Sequence, residues 1–522
     1  MKRQISKNFP PILLTGIIFL LEIVAVIVGF FYFQFSFGLW ATFALHILSI
    51  IFGIIIVNCK SNSSYKISWL VFVIAIPLLG IVCFLFFANK KFTKREMRLI
   101  APIINASKRA LDSRLGHDDI DQLNEKTDAD AINIAQYIRN YSYTGIYTAT
   151  KASYYSWGET GFPVILEKLK NAKHYIFLEY FIIAQGEMWS SILEILKEKA
   201  SEGLDVRIIY DDFGCSKYLP KKYDKYLNKL GIKTIVFNKI KPIFEIRMNN
   251  RDHRKILVID GYIGFTGGIN IGDEYINKKV KFGKWKDNLI MLEGEGVFGL
   301  TSLFLSNWAM LTKSDEDNHL DYNQYLPKRH QHDYIYQIKN DGFVQPYGSI
   351  PFTYETIGAN VYLYLINKAK KYIHITTPYL ILDEILMNAL CQAAKSGVEV
   401  KIITPHIPDK KVVHEITRSN YKELLASGVE VYEYDPGFIH AKMIIVDGIM
   451  GTVGTINFDY RSLFLHMENG TFLYQCSCIL DMERDYQDTL KSCIPFSYEI
   501  VSSVSIFRKI WRALLRIIAP LM

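Results

Sequence analysis

Two nine-residue segments carry the side chains that phosphoryl transfer needs. Residues His253 through Gly261 and His440 through Gly448 both read H-x-K-x-x-x-x-D-G. The register then continues without a gap. Gly267 and Gly454 lie 14 residues after their histidines, Gly268 and Thr455 lie 15 after, and Asn270 and Asn457 lie 17 after. A chain with 12 histidines gives one H-x-K-x-x-x-x-D by chance on the order of 0.05 times, so two copies in register mark an internal duplication. His and Lys two residues apart on a strand point to one face, where both meet the same anion. Two such edges brought face to face offer two imidazoles, two ammonium groups and two asparagine amides to one tetrahedral phosphoryl group. One neutral histidine attacks phosphorus; the other protonates the leaving alkoxide and then, as a base, activates the incoming hydroxyl.

The candidate catalytic set is therefore His253, Lys255, Asp260, His440, Lys442 and Asp447. Asn270, Asn457, Gly268 and Thr455 are the candidate substrate-binding residues. Lys255, Lys442, Asn270 and Asn457 stabilise charge on the phosphoryl oxygens, and neither a metal nor an organic cofactor is required. The runs Ile256 to Ile259 and Met443 to Val446 read as buried strand, ended by the turn dipeptides Asp260-Gly261 and Asp447-Gly448. Asp260 and Asp447 thus stand between shaping a turn and serving the site electrostatically.

The elements that must position these residues are an alternation of strand and helix. Strand, helix and strand are predicted over 175–183, 189–202 and 206–210, and again over 372–376, 384–396 and 398–403. The fold class expected is α/β: two fused repeats packed face to face behind N-terminal transmembrane helices. The expected divisions are a membrane region over 1–90, a polar helical linker over 91–140, repeats over 141–335 and 336–500, and a basic amphipathic tail over 501–522.

Composition agrees with a chain partly in lipid. Of 522 residues, 50% are hydrophobic and 21% charged, with a mean hydropathy of +0.10, which excludes a disordered chain. The apolar excess lies at the N-terminus. Ile12 to Phe33 carries only the charge of Glu22, Leu39 to Val57 only His46, and Ile67 to Phe87 no acidic or basic side chain. Each is long enough for a transmembrane helix, so two or three spans are expected. A cleavable signal peptide is disfavoured by the length of the first run. The cluster Lys90, Lys91, Lys94, Arg95 and Arg98 predicts that the following region is cytoplasmic, with one apolar segment not fully crossing. The net charge of +8 suits an anionic surface, and the 7 scattered cysteines read as reduced thiols. Near the C-terminus, Arg508, Lys509, Arg512 and Arg516 share a helix with Ile510, Trp511, Leu514, Leu515 and Ile518. That helix either lies on an anionic bilayer or packs on the domain.

With these residues in view, the sequence resembles the phospholipase D superfamily, whose signature is the paired H-x-K-x-x-x-x-D. Within it, the resemblance is to bacterial cardiolipin synthases over nearly the whole chain. Leu178 to Ile182, Gly203 to Asp212, His253 to Tyr275, Thr377 to Tyr379, Pro436 to Lys442 and Gly454 to Ser462 carry it. The resemblance implies transfer between two phosphatidylglycerol molecules, giving cardiolipin and glycerol through a phosphohistidine. His253 would be the nucleophile, His440 the acid and base, and Asp287 and Glu468 would fix the imidazole tautomers. It also implies phosphatidylglycerol and an anionic phospholipid membrane as partners, with no nucleic acid and no obligatory protein partner, in a multi-pass bacterial cell-membrane protein. The chain departs from the family at Trp285-Lys286-Asp287-Asn288-Leu289, where Trp-Arg-Asp-Thr-His is common. It departs again at Gly348-Ser349-Ile350, where Ser-Gly-Pro is usual. The alternatives are a phospholipid hydrolase, a phosphatidylserine synthase or a nuclease sharing the same core, and an inactive membrane scaffold. The four intact His and Lys residues weigh against the last.

Overall fold

The computed structural model describes residues 24, 28, 43–88, 101, 104–108, 111, 128–240, 250–312, 321–326, 342–351 and 355–521. They fall into two compact units. One comprises residues 24, 28, 43–88, 240 and 517–521, and the other holds the rest.

In the smaller unit, the apolar run at 67–87 is two helices rather than one, Ser63–Ala75 and Pro77–Phe87. Pro77 has no N–H to donate and disfavours helical geometry in the residue before it. Ile76 accordingly leaves the helix at φ −136° and ψ 79°. Gly80 lets the second helix cross closely over the first, since a Cβ there would lie 2.6 Å from the Val73 Cα. Ile56, Trp69, Val73, Ile81 and Cys83 are buried together, and Leu521 packs against them. Ile50, Ile54, Ile67, Ile74 and Phe86 remain exposed. Among the described residues, no helix is long and apolar enough to cross a membrane. The first expected span, apart from residues 24 and 28, lies outside the described residues, as does the start of the second.

The larger unit holds two sheets. The first contains β1 (Thr150–Tyr155), β2 (Tyr175–Tyr180), β3 (Asp205–Asp211), β4 (Lys233–Phe237), β5 (Lys255–Ile259), β6 (Ile263–Gly267) and β7 (Leu289–Gly294). Its order is β1-β7-β6-β5-β2-β3-β4. The second contains β8 (Phe343–Ser349), β9 (Tyr372–Thr376), β10 (Glu399–Pro405), β11 (Glu430–Tyr434), β12 (Met443–Val446), β13 (Met450–Gly454), β14 (Glu468–Tyr474) and β15 (Cys493–Phe496). Its order, β15-β11-β10-β9-β12-β13-β14-β8, repeats the first strand for strand and adds β15 at one edge. β2, β3 and β4 are mutually parallel, as are β9, β10 and β11, so each step needs a crossover. Helix Glu187–Ser201 supplies one and helix Glu384–Lys395 its counterpart. The first buries Met188, Trp189, Ile192, Ile195 and Leu196, an apolar stripe at helical spacing.

The uniformly apolar β5 and β12 are explained by burial on both faces. Ile256 and Val258 of β5 join Met443 and Ile445 of β12 in one core between the sheets. The alternate residues Leu257 and Ile259 face a second core, and Ile444 and Val446 a third. The repeats thus pack face to face. The expected linker is in part a docked element: helix Ala129–Ser142 buries Ala131, Ile134, Ala135 and Ile138 in the core of the second repeat. At the other end, helix Ile506–Ile518 sets two of its cations, Arg508 and Arg512, on Glu415. Its apolar residues Ile506, Phe507, Ile510, Trp511 and Leu514 face outward.

After β5 and β12 the chain turns through consecutive residues with positive φ, 53° and 74° at Asp260 and Gly261, and 55° and 69° at Asp447 and Gly448. Each aspartate then braces its turn against the neighbouring strand. The Asp260 carboxylate accepts the N–H groups of Lys173, His174 and Tyr175 at 2.8, 2.7 and 2.9 Å. Asp447 accepts those of Lys370, Lys371 and Tyr372, each at 2.8 Å. Replacing Asp260 by Ala frees three donors and is expected to cost about 1 to 3 kcal/mol, read as a lower denaturant midpoint. Asp447→Ala should behave alike.

Candidate active site

The two H-x-K segments enter their strands from the edge where the halves meet. His253 donates its N–H to the Met467 carbonyl at 2.9 Å, and Met467 donates to Arg251 at 2.8 Å. On the other side His440 donates to the Lys286 carbonyl at 2.7 Å, and Lys286 to Phe438 at 3.0 Å. Each histidine is therefore clipped to the segment that precedes the other half's carboxylate. The carboxylates Asp287 and Glu468 sit one residue beyond the clips, and the imidazoles pair with them crosswise. His253 Nδ1 lies 2.9 Å from Glu468 Oε1, and His440 Nδ1 lies 2.6 Å from Asp287 Oδ2. With Nδ1 so engaged, Nε2 of each ring is the atom left for chemistry.

Lys255 and Lys442, both 1% exposed, curl onto their own motifs and donate to the carbonyls of His253 and His440. The next residue after each carboxylate repeats the crossing. Asn469 accepts from the Lys255 N–H and Asn288 from the Lys442 N–H, each at 3.4 Å. These asparagines are not among the candidates drawn from sequence, although their position one after Asp287 and Glu468 is legible as a second register match.

The remaining candidates divide. Gly268 lies against Asp287, where a Cβ would fall 1.9 Å from Oδ1, and Thr455 donates its hydroxyl to Glu468. They contact the orienting carboxylates of their own halves. Asn270 donates to the Tyr275 hydroxyl at 2.8 Å and Asn457 to the Ser462 hydroxyl at 3.1 Å, while Asn457 Oδ1 is buried with no partner. Asp260 and Asp447 are not at the site; about 16 Å of strand separates Asp260 from Lys255. Lys286, which stands in the departing Trp-Lys-Asp sequence, points away onto Asp485 at 2.6 Å.

Aromatic rings wall the imidazoles. Phe181 lies 4.9 Å from His253, and Trp285 and Tyr275 lie 5.5 and 5.7 Å from His440, between centroids. His466, a residue missed from sequence although it stands two before Glu468, lies 5.8 Å from His253. His253, His466 and Glu468 also form a group able to hold a metal ion, their ligand atoms all within 4.8 Å. An ion there would compete with the hydrogen bond that orients His253.

Burial and crowded positive charge set the protonation states. Burial, then Lys255, holds His253 well below the usual histidine range. Burial and Lys442 push His440 down to about 4, against the pull of Asp287. Desolvation lowers Lys255 to about 7 and Lys442 to about 8. Burial alone would raise Asp287, but His440 and Lys442 prevail and keep it below its ordinary value. Glu468 is pushed up to about 8 by burial. The site thus presents two neutral imidazoles beside two readily titrated ammonium groups.

Comparison with known proteins fits this geometry. A family model described as "Cardiolipin synthase, PLD-like domain" matches residues 165–284 and 362–490. A second, "Phospholipase_D-nuclease N-terminal", matches 47–89. A cardiolipin synthase of Alkalihalophilus pseudofirmus is 34% identical over 91% of this chain and 92% of its own length. An uncharacterized protein of Streptococcus mutans is 40% identical over 90% of this chain and 98% of its own. The crystal structure of a phosphatidylserine synthase from Haemophilus influenzae shares the fold, with a TM-score of 0.53 at 16% identity, covering 74% of this chain and 97% of that one. Two fused repeats with crossed histidine–carboxylate pairs, and relatives matched nearly end to end, place the chain in the phospholipase D-like cardiolipin synthase family.

Proposed function

We propose that this chain moves the phosphatidyl group of one phosphatidylglycerol to a hydroxyl of a second, releasing glycerol and forming cardiolipin. The observation that carries this reading is the facing pair of neutral imidazoles, each held by a carboxylate of the other half and accompanied by a buried lysine. The Nε2 lone pair of His253 bonds to phosphorus as the bond to the glycerol oxygen breaks, and that oxygen takes a proton from His440 Nε2. His440 then removes the proton from the second lipid's hydroxyl. The new oxygen bonds to phosphorus, and the bond from phosphorus to His253 breaks.

The carboxylates support this division of roles. Asp287 stays ionised and suits His440 to hold a proton, whereas Glu468 is the weaker anion beside the nucleophile. An anionic phosphodiester between Lys255 and Lys442 offsets the repulsion that keeps His440 neutral, so substrate binding itself loads the acid. Asp260 and Asp447 act through the turns they brace. Asn270 and Asn457 order the loops behind the site, and Gly268 and Thr455 back the orienting carboxylates.

We place the N-terminal segments in the bacterial cell membrane as a multi-pass anchor, with the catalytic unit in the cytoplasm. The supporting observations are the exposed Ile50, Ile54, Ile74 and Phe86 and the lysine- and arginine-rich stretch that follows them.

Purified protein in phosphatidylglycerol vesicles without divalent metal should yield cardiolipin and glycerol in equal amounts, and His253→Ala or His440→Ala should abolish both. Phosphatidic acid alone would identify a hydrolase instead. Asp287→Asn keeps the shape but not the tautomer of His440 and should lower kcat by roughly a thousandfold or more. The lysines serve in their charged form, so kcat/KM should fall as pH rises through about 7 to 8. Bound anion raises both pKa values, and the falling limb of kcat should lie at higher pH. Initial rates in mixed micelles across pH check this.

A further inference from the structure

The catalytic centre is nearly twofold symmetric, yet its walls are not. Arg461 and Glu274 occupy equivalent places, each 21 residues after its motif histidine. Glu274 is paired with Lys281 at 2.9 Å. Among the described residues no carboxylate closes an ion pair with Arg461; Asp459 acts on it from a distance and accepts the Ser462 N–H instead, at 2.8 Å. A second contrast lies two residues before each carboxylate. The first half places Trp285 against His440, and the second places His466 against His253.

Arg461 and His466 are the two ends of one local feature. Residues Arg461–Leu465 form a single π-helical turn, closed by the His466 N–H on the Arg461 carbonyl at 2.7 Å. Such turns are rare and recur at functional sites. His466 Nδ1 lies 3.9 Å from Glu468 Oε1, while its Nε2 is buried with no hydrogen-bond partner. The leading charges acting on this ring are all positive: Arg461, Arg251, Lys255 and Lys410. Lys410 is itself exposed and lies 5.3 Å from the Tyr379 ring. A buried ring nitrogen without a partner, beside an arginine that closes no ion pair among the described residues, is the arrangement an anion completes.

Joining two identical lipids requires that their phosphates be treated differently. The donor's phosphorus must reach His253, while the acceptor's phosphate lies across a three-carbon glycerol from its attacking hydroxyl and must be held clear. We infer that Arg461 and His466, with Lys410, form an anion subsite beside His253 that holds the phosphodiester of the accepting lipid. The inference rests on the transferase reading above. The first half, with Glu274 and Trp285 at the matching positions, offers no such subsite, and this sets the direction in which the two lipids enter.

The test separates the acceptor from the donor. Exchange of labelled glycerol into phosphatidylglycerol uses the donor site and phosphohistidine alone, whereas cardiolipin formation also needs a second lipid. In Arg461→Gln the ratio of cardiolipin formed to glycerol exchanged should fall roughly tenfold to a hundredfold, the size of a lost hydrogen bond to a charged group. The loss should appear as a higher KM for acceptor phosphatidylglycerol. Arg461→Lys should recover part of it, and His466→Gln, measured in parallel, should lower the same ratio. Exchange by each variant reports that the site is folded. An unchanged ratio in Arg461→Gln and His466→Gln, with exchange intact, would overturn the subsite. Wild-type protein that exchanges glycerol but makes no cardiolipin would instead sink the transferase reading on which it rests.

Discussion

The crossed pairing of imidazole and carboxylate is the constraint on which the rest of the larger unit depends. His253 leans on Glu468 and His440 on Asp287, so neither half contains a complete histidine site. Everything that fixes the two sheets against each other also fixes these distances. The shared core of Phe177, Ile256 and Val258 with Met443, Ile445 and Val453 does so by packing, and the backbone clips at Met467 and Lys286 do so by hydrogen bonds. Interiors are close-packed, and a shift of one sheet would break both pairs together. The fused duplication is thus a way of making a rigid interface, with preorganised groups at its rim.

The same burial tunes the chemistry. Removing the lysines and histidines from water disfavours their charged forms, and their proximity disfavours charge further. An anionic phosphodiester is the species that relieves this strain. The crowded cations therefore favour an anion between them, and attraction for substrate and readiness for proton transfer have one origin. Phe181, Trp285 and Tyr275 around the imidazoles keep the local dielectric low, which strengthens both effects.

Much of this was legible from residues alone because the duplication shows twice. The paired motifs stand in register, and the strands they open are apolar throughout because both faces are covered. Four features were not legible. The partners of Asp260 are the N–H groups of residues 173–175, more than 80 positions away, so spacing left its role between turn and site. The crossing of Asp287 and Glu468 is a property of how the halves dock, which no single repeat encodes. Helix Ala129–Ser142 has the composition of a polar linker because one narrow stripe, Ala131, Ile134, Ala135 and Ile138 with Tyr137 at its side, meets the core. Hydropathy alone makes the run at 67–87 one span, whereas the backbone limits of Pro77 divide it into two helices.

Helix Ile506–Ile518 is held by two of its charges and by the buried Leu515, while most of its apolar side faces outward. Arg508 and Arg512 clasp Glu415, and Phe507, Ile510, Trp511 and Leu514 point outward. A polybasic tail is peeled from a surface by salt, because its cations face that surface. Here two of the four cations, Arg508 and Arg512, are engaged on the domain side, and ionic strength acts there too. Salt slackens the clasp to Glu415 and leaves the helix resting on Leu515, while the grip of its outer face on any apolar neighbour is left intact or tightened.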